Sequence, residues 1–404
     1  MLARYFKPSV LQEIAAKAGT PVYVYSAAVF IKQTAAYKKA FRALDPLFCY
    51  AMKANSNGAL CALAAGQGFG ADVVSGGELY RALRAGFEPG KIIFSGVGKT
   101  PDELEYALRT GLLFVNAESF EEVQALERAA AKLKKTAPFS LRINPDVDPH
   151  THRFIATGKL GSKFGVSFEE AEKIYMYAAG SEHLKPVGAQ FHIGSQVHSA
   201  GPYAMAAGRL AAFILKLASR GVNLVYADVG GGWGVREGSE MSDLAPLARA
   251  IAGVFQGTGL KVVLEPGRSI AAPSGALLTR VLYRKRGGSK NFIVVDAAMN
   301  DLVRPALYGA KHPVALLGAA RGPLKKYDIV GPVCESGDFL AKGVPLPEPR
   351  NGDLLLIYSA GAYGFSMSSQ YNSRPRAAEA LITGASWRLV RRRETYKDLV
   401  AAEL

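Results

Sequence analysis

Only three cysteines occur in the 404 residues, Cys49, Cys61 and Cys334, and none forms a CxxC pair. An odd count without paired spacing excludes a disulfide framework and a cysteine-based zinc site. Cys49 and Cys61 lie in apolar strand and helix contexts and read as core residues. Cys334 lies in the polar run GPVCESGD and stands apart. Long apolar runs are missing as well: no stretch approaches the ~18 uninterrupted apolar residues of a membrane span. The opening MLARYFKPSVLQEIAAKAG lacks the apolar block and small-residue cleavage site of a secretory signal. A soluble cytoplasmic protein without membrane partners is the expectation. Histidine is scarce, and His150-x-His152 has no further ligands around it, so no metal is expected. Internal repeats and low-complexity segments are absent.

Acidic residues are outnumbered 34 to 49 by lysine and arginine, a formal charge of +15. The basic residues are scattered, and Arg284-Lys285-Arg286 and Arg391-Arg392-Arg393 have no RNA or DNA motif around them, so no nucleic-acid partner is expected. A positive field favours small anions such as phosphates and dicarboxylates.

What is present is a rhythm. Eight apolar, strand-like runs follow one another: Phe48–Ala54, Ala71–Val74, Ile92–Gly96, Leu113–Ala117, Phe139–Pro145, Val187–Ser195, Val225–Gly230 and Lys261–Pro266. Stretches of helical periodicity separate them. Helix starts are marked by Thr100-Pro101-Asp102-Glu103 and by the capping patterns Ser119-x-x-Glu122 and Ser167-x-x-Glu170. Eight β–α units within about 220 residues predict a (β/α)8 TIM-type barrel. After Arg268 the pattern changes to strands around the turn-prone KRGGSK, then Tyr327–Val333 and Asp353–Ser359. That run predicts a second, mainly antiparallel β domain. Pro21–Ser26 has no slot in an eight-unit barrel and is expected to pair there. The expected division is a barrel over 27–270 and a β domain built from 1–26 and 271–404. The connection Asp146–Ser167 is long enough to be functional or disordered.

Barrel enzymes place their chemistry at the carboxyl ends of the strands. Here those ends carry Lys53, His192, Gly230-Gly231-Gly232 and Glu265-Pro266-Gly267-Arg268. Glycines after strands seven and eight let backbone N–H groups surround a phosphate. A phosphate pocket facing a lysine suggests pyridoxal 5'-phosphate, whose aldehyde a lysine amine can hold as a Schiff base. Glu265 is placed to keep a pyridine nitrogen protonated, which makes the ring an electron sink. His192 is placed to lie against the ring, with Ser195 near the phosphate.

As a set these motifs resemble the fold-type III pyridoxal-phosphate decarboxylases, the diaminopimelate decarboxylase family in particular, over nearly the whole chain. YAMKAN resembles the family's cofactor-lysine segment, which makes Lys53 the Schiff-base residue. FHIGSQ implies a stacking His192 and a phosphate-side Ser195. DVGGGWG resembles the glycine loop of Gly230, Gly231 and Gly232, with Trp233 where leucine is common. EPGR assigns Glu265 to the pyridine nitrogen, Gly267 to the phosphate and Arg268 to a substrate carboxylate. In the second domain, Arg304 and Tyr308 of RPALYG are similar to the substrate-binding pair. GPVCESGD implies Cys334 as proton donor and Glu335 as partner of the distal amino group, both serving the other subunit's site. Tyr363 and Tyr371 correspond to cofactor and substrate contacts. The resemblance implies a head-to-tail homodimer with shared active sites. It also implies decarboxylation of meso-2,6-diaminopimelate to L-lysine, the last step of lysine synthesis. Arg268 or Arg304 would grip the retained carboxylate and Glu335 the distal ammonium.

Three rival readings remain at this level. A decarboxylase of ornithine, arginine or lysine shares the fold, but those enzymes carry a Cys-Asp pair where this chain has Cys334-Glu335. An alanine-racemase-like enzyme would place an arginine at the pyridine nitrogen, where Glu265 stands. A non-catalytic cofactor carrier would lack the second domain or the lysine and cysteine.

Overall fold

A computed structural model describes residues 2–148, 163–235, 243–318 and 322–404. His150, His152 and most of the Asp146–Ser167 connection lie outside the described residues. The chain divides into two compact units, one holding Gln33–Gly234 and the run ending at Ser269, the other the segment up to Lys32 and Ile270–Leu404.

After strand β1 (Val22–Ser26) come the strands of the first unit: β2 (Leu47–Ala51), β3 (Gly70–Val73), β4 (Ile92–Phe94), β5 (Phe114–Ala117), β6 (Ala137–Arg142), β7 (Leu184–Gln190), β8 (Tyr226–Asp228) and β9 (Lys261–Leu264). Each pairs in parallel with the next, and β9 closes on β2 through Leu47↔Val263 and Phe48↔Leu264. This is the (β/α)8 barrel. Its strands are nearly all buried because side chains fill the interior and helices cover the outside. The helix Gly201–Ala218 does this with Leu210, Phe213, Ile214 and Leu217.

The helix starts show how local chemistry decides detail. Thr100 forms a full reciprocal cap with Glu103. Ser119 accepts the Glu122 N–H, but the Glu122 carboxylate turns to the Lys99 ammonium (2.6 Å) and the Glu118 N–H (2.9 Å). The buried Lys99 charge outbids the capping partner.

The strands stop earlier than their apolar composition predicts. β7 ends at Gln190 rather than Ser195, and β2 at Ala51 rather than Ala54. Met52, Phe191 and Ile193 are fully buried, so the apolar signal continues beyond the last ladder bond. The residues at the barrel mouth therefore sit on turns just past the strands.

The second unit is a mainly antiparallel sheet of β10 (Gly275–Gly287), β11 (Lys290–Val295), β12 (Val314–Leu316), β13 (Lys325–Val330), β14 (Phe339–Leu346), β15 (Leu354–Ile357), β16 (Ala378–Thr383) and β17 (Ser386–Arg391). Its order is β14-β13-β11-β10-β1-β16-β17, with β15 also on β10 and β12 on β15. The KRGGSK turn joins β10 to β11 as expected. β1 does pair here, antiparallel to β10 and parallel to β16. Val22 and Val24 enter a core with Leu11, Ile14, Leu278 and Leu356. Tyr23 and Tyr25 are also fully buried, their hydroxyls donating to Asp301 O (2.5 Å) and Glu379 Oε1 (2.6 Å).

Among the described residues no helix is long and apolar enough to cross a membrane. Leu356 has no exposed surface in this core, so Leu356→Ala should cost about 2–5 kcal/mol in a denaturant titration. A loss within experimental error of zero would contradict this packing.

Candidate active site

The barrel mouth collects its polar groups strand by strand. Lys53 lies on a single 3-10 turn, Met52–Ala54, immediately after β2. Its ammonium donates to Asp72 Oδ2 at 2.7 Å; Lys53 is one-third exposed, whereas Asp72 on β3 is fully buried. Asn116 on β5 donates from Nδ2 to Ser95 Oγ (3.1 Å) and to Asp228 Oδ2 (3.3 Å) at the end of β8. β5 and β8 are not neighbours, so that bond crosses the barrel interior. Gln190 on β7 reaches past β8 in the same way and donates to Glu265 Oε1 at 3.1 Å. One layer further in, Cys49, Ile93, Phe114, Val187 and Val263 form an apolar floor.

Three buried carboxyls, Asp72, Asp228 and Glu265, thus share a small volume with one amine. Burial pushes Glu265 well above the ordinary carboxyl range, and the Asp228 and Asp72 charges push it further. Burial likewise raises Asp228 to about 7, against the stabilising Gly230 N–H at 2.9 Å. Beside them Glu78 is raised to about 7, again mainly by burial. Like charges this close in a desolvated site cannot all ionise.

His192 follows β7. Its Nδ1 accepts the Gly231 N–H at 3.2 Å. Burial, with the nearby Arg142 and Lys53 charges, holds the imidazole well below its usual range and therefore neutral. The glycine loop needs its glycines: Gly230 and Gly232 have φ of 65° and 99°. A Cβ on Gly231 would lie 2.1 Å from Glu265 O, and one on Gly232 would lie 1.9 Å from Gly194 O. A Cβ on Gly267 would meet that of Ala51 at 2.9 Å. Trp233 is buried and tilts against Tyr203 at 5.8 Å, so the larger ring is absorbed behind the loop. Ser195 Oγ accepts from Arg268 Nε at 3.0 Å, which joins two residues that sequence reasoning had given different ligands.

Asp72, Asn116, Asp228 and the Arg142–Glu118 ion pair (3.1 Å) were missed in the sequence. The available signal was a polar residue at an inward position of an apolar strand, as in GADVV and YADVG.

The remaining expected residues belong to the second unit. Cys334 and Glu335 are exposed. The Cys334 N–H donates to Asn372 Oδ1 (2.9 Å), and the Tyr371 hydroxyl donates to Glu335 Oε2 (2.8 Å). That carboxylate raises the Tyr371 hydroxyl above its usual range. Tyr363 adopts a left-handed φ of 56°. Arg304 opens a short helix, Arg304–Tyr308, with Tyr308 at its end.

Residues 27–272 match the family described as pyridoxal-dependent decarboxylase, pyridoxal binding domain. The chain is 49% identical to the diaminopimelate decarboxylase of Pseudomonas aeruginosa, over 97% of this chain and 95% of that protein. The chain belongs to the diaminopimelate decarboxylase family of pyridoxal-dependent decarboxylases. The family member of Aquifex aeolicus is 46% identical over 98% of this chain and 94% of its own length. The crystal structure of diaminopimelate decarboxylase from Helicobacter pylori complexed with L-lysine superposes with a TM-score of 0.94 at 44% identity, covering 97% of this chain and 98% of that one.

The mouth fits pyridoxal phosphate on its own evidence. Asp228 and Glu265 are pushed above the ordinary carboxyl range beside Asp72, and a pyridine nitrogen seated there would take up a proton and pair, as a cation, with the carboxylate left behind. Arg142 Nη2 is buried with no hydrogen-bond partner among the described residues, a donor suited to a ligand oxygen.

Two predictions follow from this geometry. Gly232→Ala combines a left-handed backbone with a collision against Gly194 O, and should cost about 1–3 kcal/mol of stability and weaken cofactor binding in a titration. In the cofactor-free protein, Asp228 binds an extra proton in the folded state between its ordinary pKa of about 4 and its folded value of about 7. Its stabilisation is complete below that window and is lost as pH rises through it. Melting temperature should therefore fall from pH ~4 to ~7, and Asp228→Asn should flatten the slope. An unchanged slope would contradict a protonated carboxyl pair.

Proposed function

We propose that this chain removes one carboxyl group from meso-2,6-diaminopimelate and leaves L-lysine, using Lys53 as the cofactor-bearing amine and Cys334 as the proton donor. The observation that carries the reading is the Lys53 amine set among the buried carboxyls Asp72 and Glu265 at the mouth of a barrel whose relatives decarboxylate diaminopimelate. Bound pyridoxal phosphate supplies an aldehyde for amines and an electron-withdrawing ring that takes up the pair left when carbon dioxide departs.

Each residue's part follows from its surroundings. The Lys53 amine would bear the cofactor aldehyde, and Asp72 at 2.7 Å holds the ammonium form in place. Glu265, which burial makes a poor place for an unpaired anion, would pass its proton to the ring nitrogen and pair as a carboxylate with the cation so formed. His192, neutral and fixed through Nδ1 by the Gly231 N–H, presents a flat uncharged face to the ring. Gly230, Gly231, Gly232 and Gly267, with Ser195 and Arg268, would line the phosphate, the Gly230 and Gly231 N–H groups tying the loop to Asp228 and His192. Arg268 also reaches toward substrate, and Tyr363 adds a cofactor contact.

Arg304 and Tyr308 bind the carboxylate that is retained, and Glu335, steadied by the Tyr371 hydroxyl, binds the distal ammonium. In this reading Tyr371 is a contact of both substrate and cofactor. The Cys334 thiol gives its proton to Cα after the carbon–carbon bond breaks, and solvent restores it. Exposure of Cys334 and Glu335 on their own chain supports a homodimer in which each subunit completes the other's site. The reading places the enzyme in the cytoplasm, where amino acids are made.

Product analysis tests the substrate: meso-diaminopimelate should yield lysine and carbon dioxide, whereas turnover of ornithine, arginine or lysine at an equal rate would replace this reading by its nearest rival. Lys53→Ala should lose the visible absorbance of the bound cofactor and nearly all turnover. Cys334→Ala should retain that absorbance while turnover falls by about 10²-fold or more. A wild-type rate in either variant removes that residue from the mechanism.

A further inference from the structure

His312 carries an interaction that no assignment above uses. Arg304 and His312 are eight residues apart, yet the chain returns one to the other. Gly309, at φ 62°, ends the Arg304–Tyr308 helix and directs its N–H to the helix carbonyls. The chain then turns back toward β12, where the Tyr358 N–H donates to Pro313 O at 2.8 Å and fixes the segment against the end of β15. His312 is 5% exposed there, so it is itself walled off from any ligand.

Its two ring nitrogens have distinct partners. Nδ1 lies 2.9 Å from Tyr358 O, and a carbonyl only accepts, so Nδ1 carries the proton. Nε2 lies 3.3 Å from Arg304 Nη1, and a guanidinium only donates, so Nε2 must offer its lone pair. Both contacts are satisfied by one species, the neutral ring protonated at Nδ1. The backbone carbonyl of Tyr358 therefore fixes the tautomer, and the tautomer fixes the arginine.

We propose that His312 is a positioning residue for substrate recognition, holding the Arg304 guanidinium in the orientation that receives the substrate carboxylate. This rests on the assignment of Arg304 to that carboxylate. An arginine aimed by a fixed acceptor loses less side-chain freedom on binding than one free to sample rotamers. The gain lies in affinity for the carboxylate rather than in the bond-breaking step.

Steady-state kinetics of the cofactor-loaded enzyme test this with His312→Leu, His312→Gln, Arg304→Ala and the double variant. His312→Leu should raise KM for diaminopimelate about tenfold, the scale of one lost hydrogen bond to a charged group, and leave kcat within about twofold. His312→Gln can accept from Arg304 and donate to Tyr358 O, and should recover most of the loss. In the Arg304→Ala background the effect of His312→Leu on KM should vanish, because the two side chains act as one unit. His312→Asn, too short to span both partners, takes the leucine's place should that variant not fold.

A wild-type KM in His312→Leu, no recovery with glutamine, or a full effect persisting without Arg304 would each overturn the proposal. Arg304→Ala with an unchanged KM would instead remove Arg304 from substrate binding, an outcome separable from failure of His312 alone.

Discussion

The site depends on charge held away from water. Asp72, Asp228 and Glu265 are buried together in the barrel with a single lysine at their edge, and the strands that carry them cannot move apart without opening a closed sheet. Desolvation, with their mutual repulsion, raises Asp228 to about 7 and Glu265 well above the ordinary carboxyl range. A cationic ring nitrogen seated there would relieve that stress, which is why the proposed reading sets the cofactor at this cluster. The amide groups of Asn116 and Gln190 reach across non-adjacent strands to hold the carboxyls in place. The glycine loop is tied to the same cluster, since Gly230 donates to Asp228 and Gly231 to His192.

The second unit works by a different physics. Its Cys334, Glu335 and Tyr371 are exposed; the Cys334 N–H donates to Asn372, and the Tyr371 hydroxyl donates to Glu335. A buried acid cluster and an exposed polar loop suit the two tasks of the proposed reaction, holding a cofactor and reading a substrate. The sheet beneath the loop is anchored by β1, whose five residues are all buried.

How much of this was legible follows from which signals are local. The apolar runs located all eight barrel strands, because strands covered on both faces read as continuous hydrophobic segments. Their ends were overrun, since Phe191 and Ile193 are as buried as the strand before them. Lys53, His192, the glycine triplet and Glu265 were legible because turn glycines and a terminal polar residue mark strand ends. Asp72 and Asp228 were not, because an acid inside an apolar strand is explained only by partners on other strands. β14 escaped notice because Gly343 and Pro345 read as breakers, although both lie within an antiparallel strand paired to β13. The helix Pro8–Ala18 was passed over despite Pro at its first position and an apolar face of Val10, Leu11 and Ile14. The parallel pairing of β1 with β16 joins residues more than 350 positions apart, which no local pattern encodes. Likewise His312 reads as an isolated histidine until the fold sets it between Arg304 and Tyr358.

The central claim is that one amine, that of Lys53, bears the cofactor at the edge of the buried acid cluster. Reduction of the pyridoxal-phosphate-loaded protein with borohydride, followed by peptide mass mapping, tests it most directly. The account predicts a single pyridoxyl modification, on the peptide that contains Lys53. A modification on another lysine, with Lys53 recovered unlabelled, would contradict it.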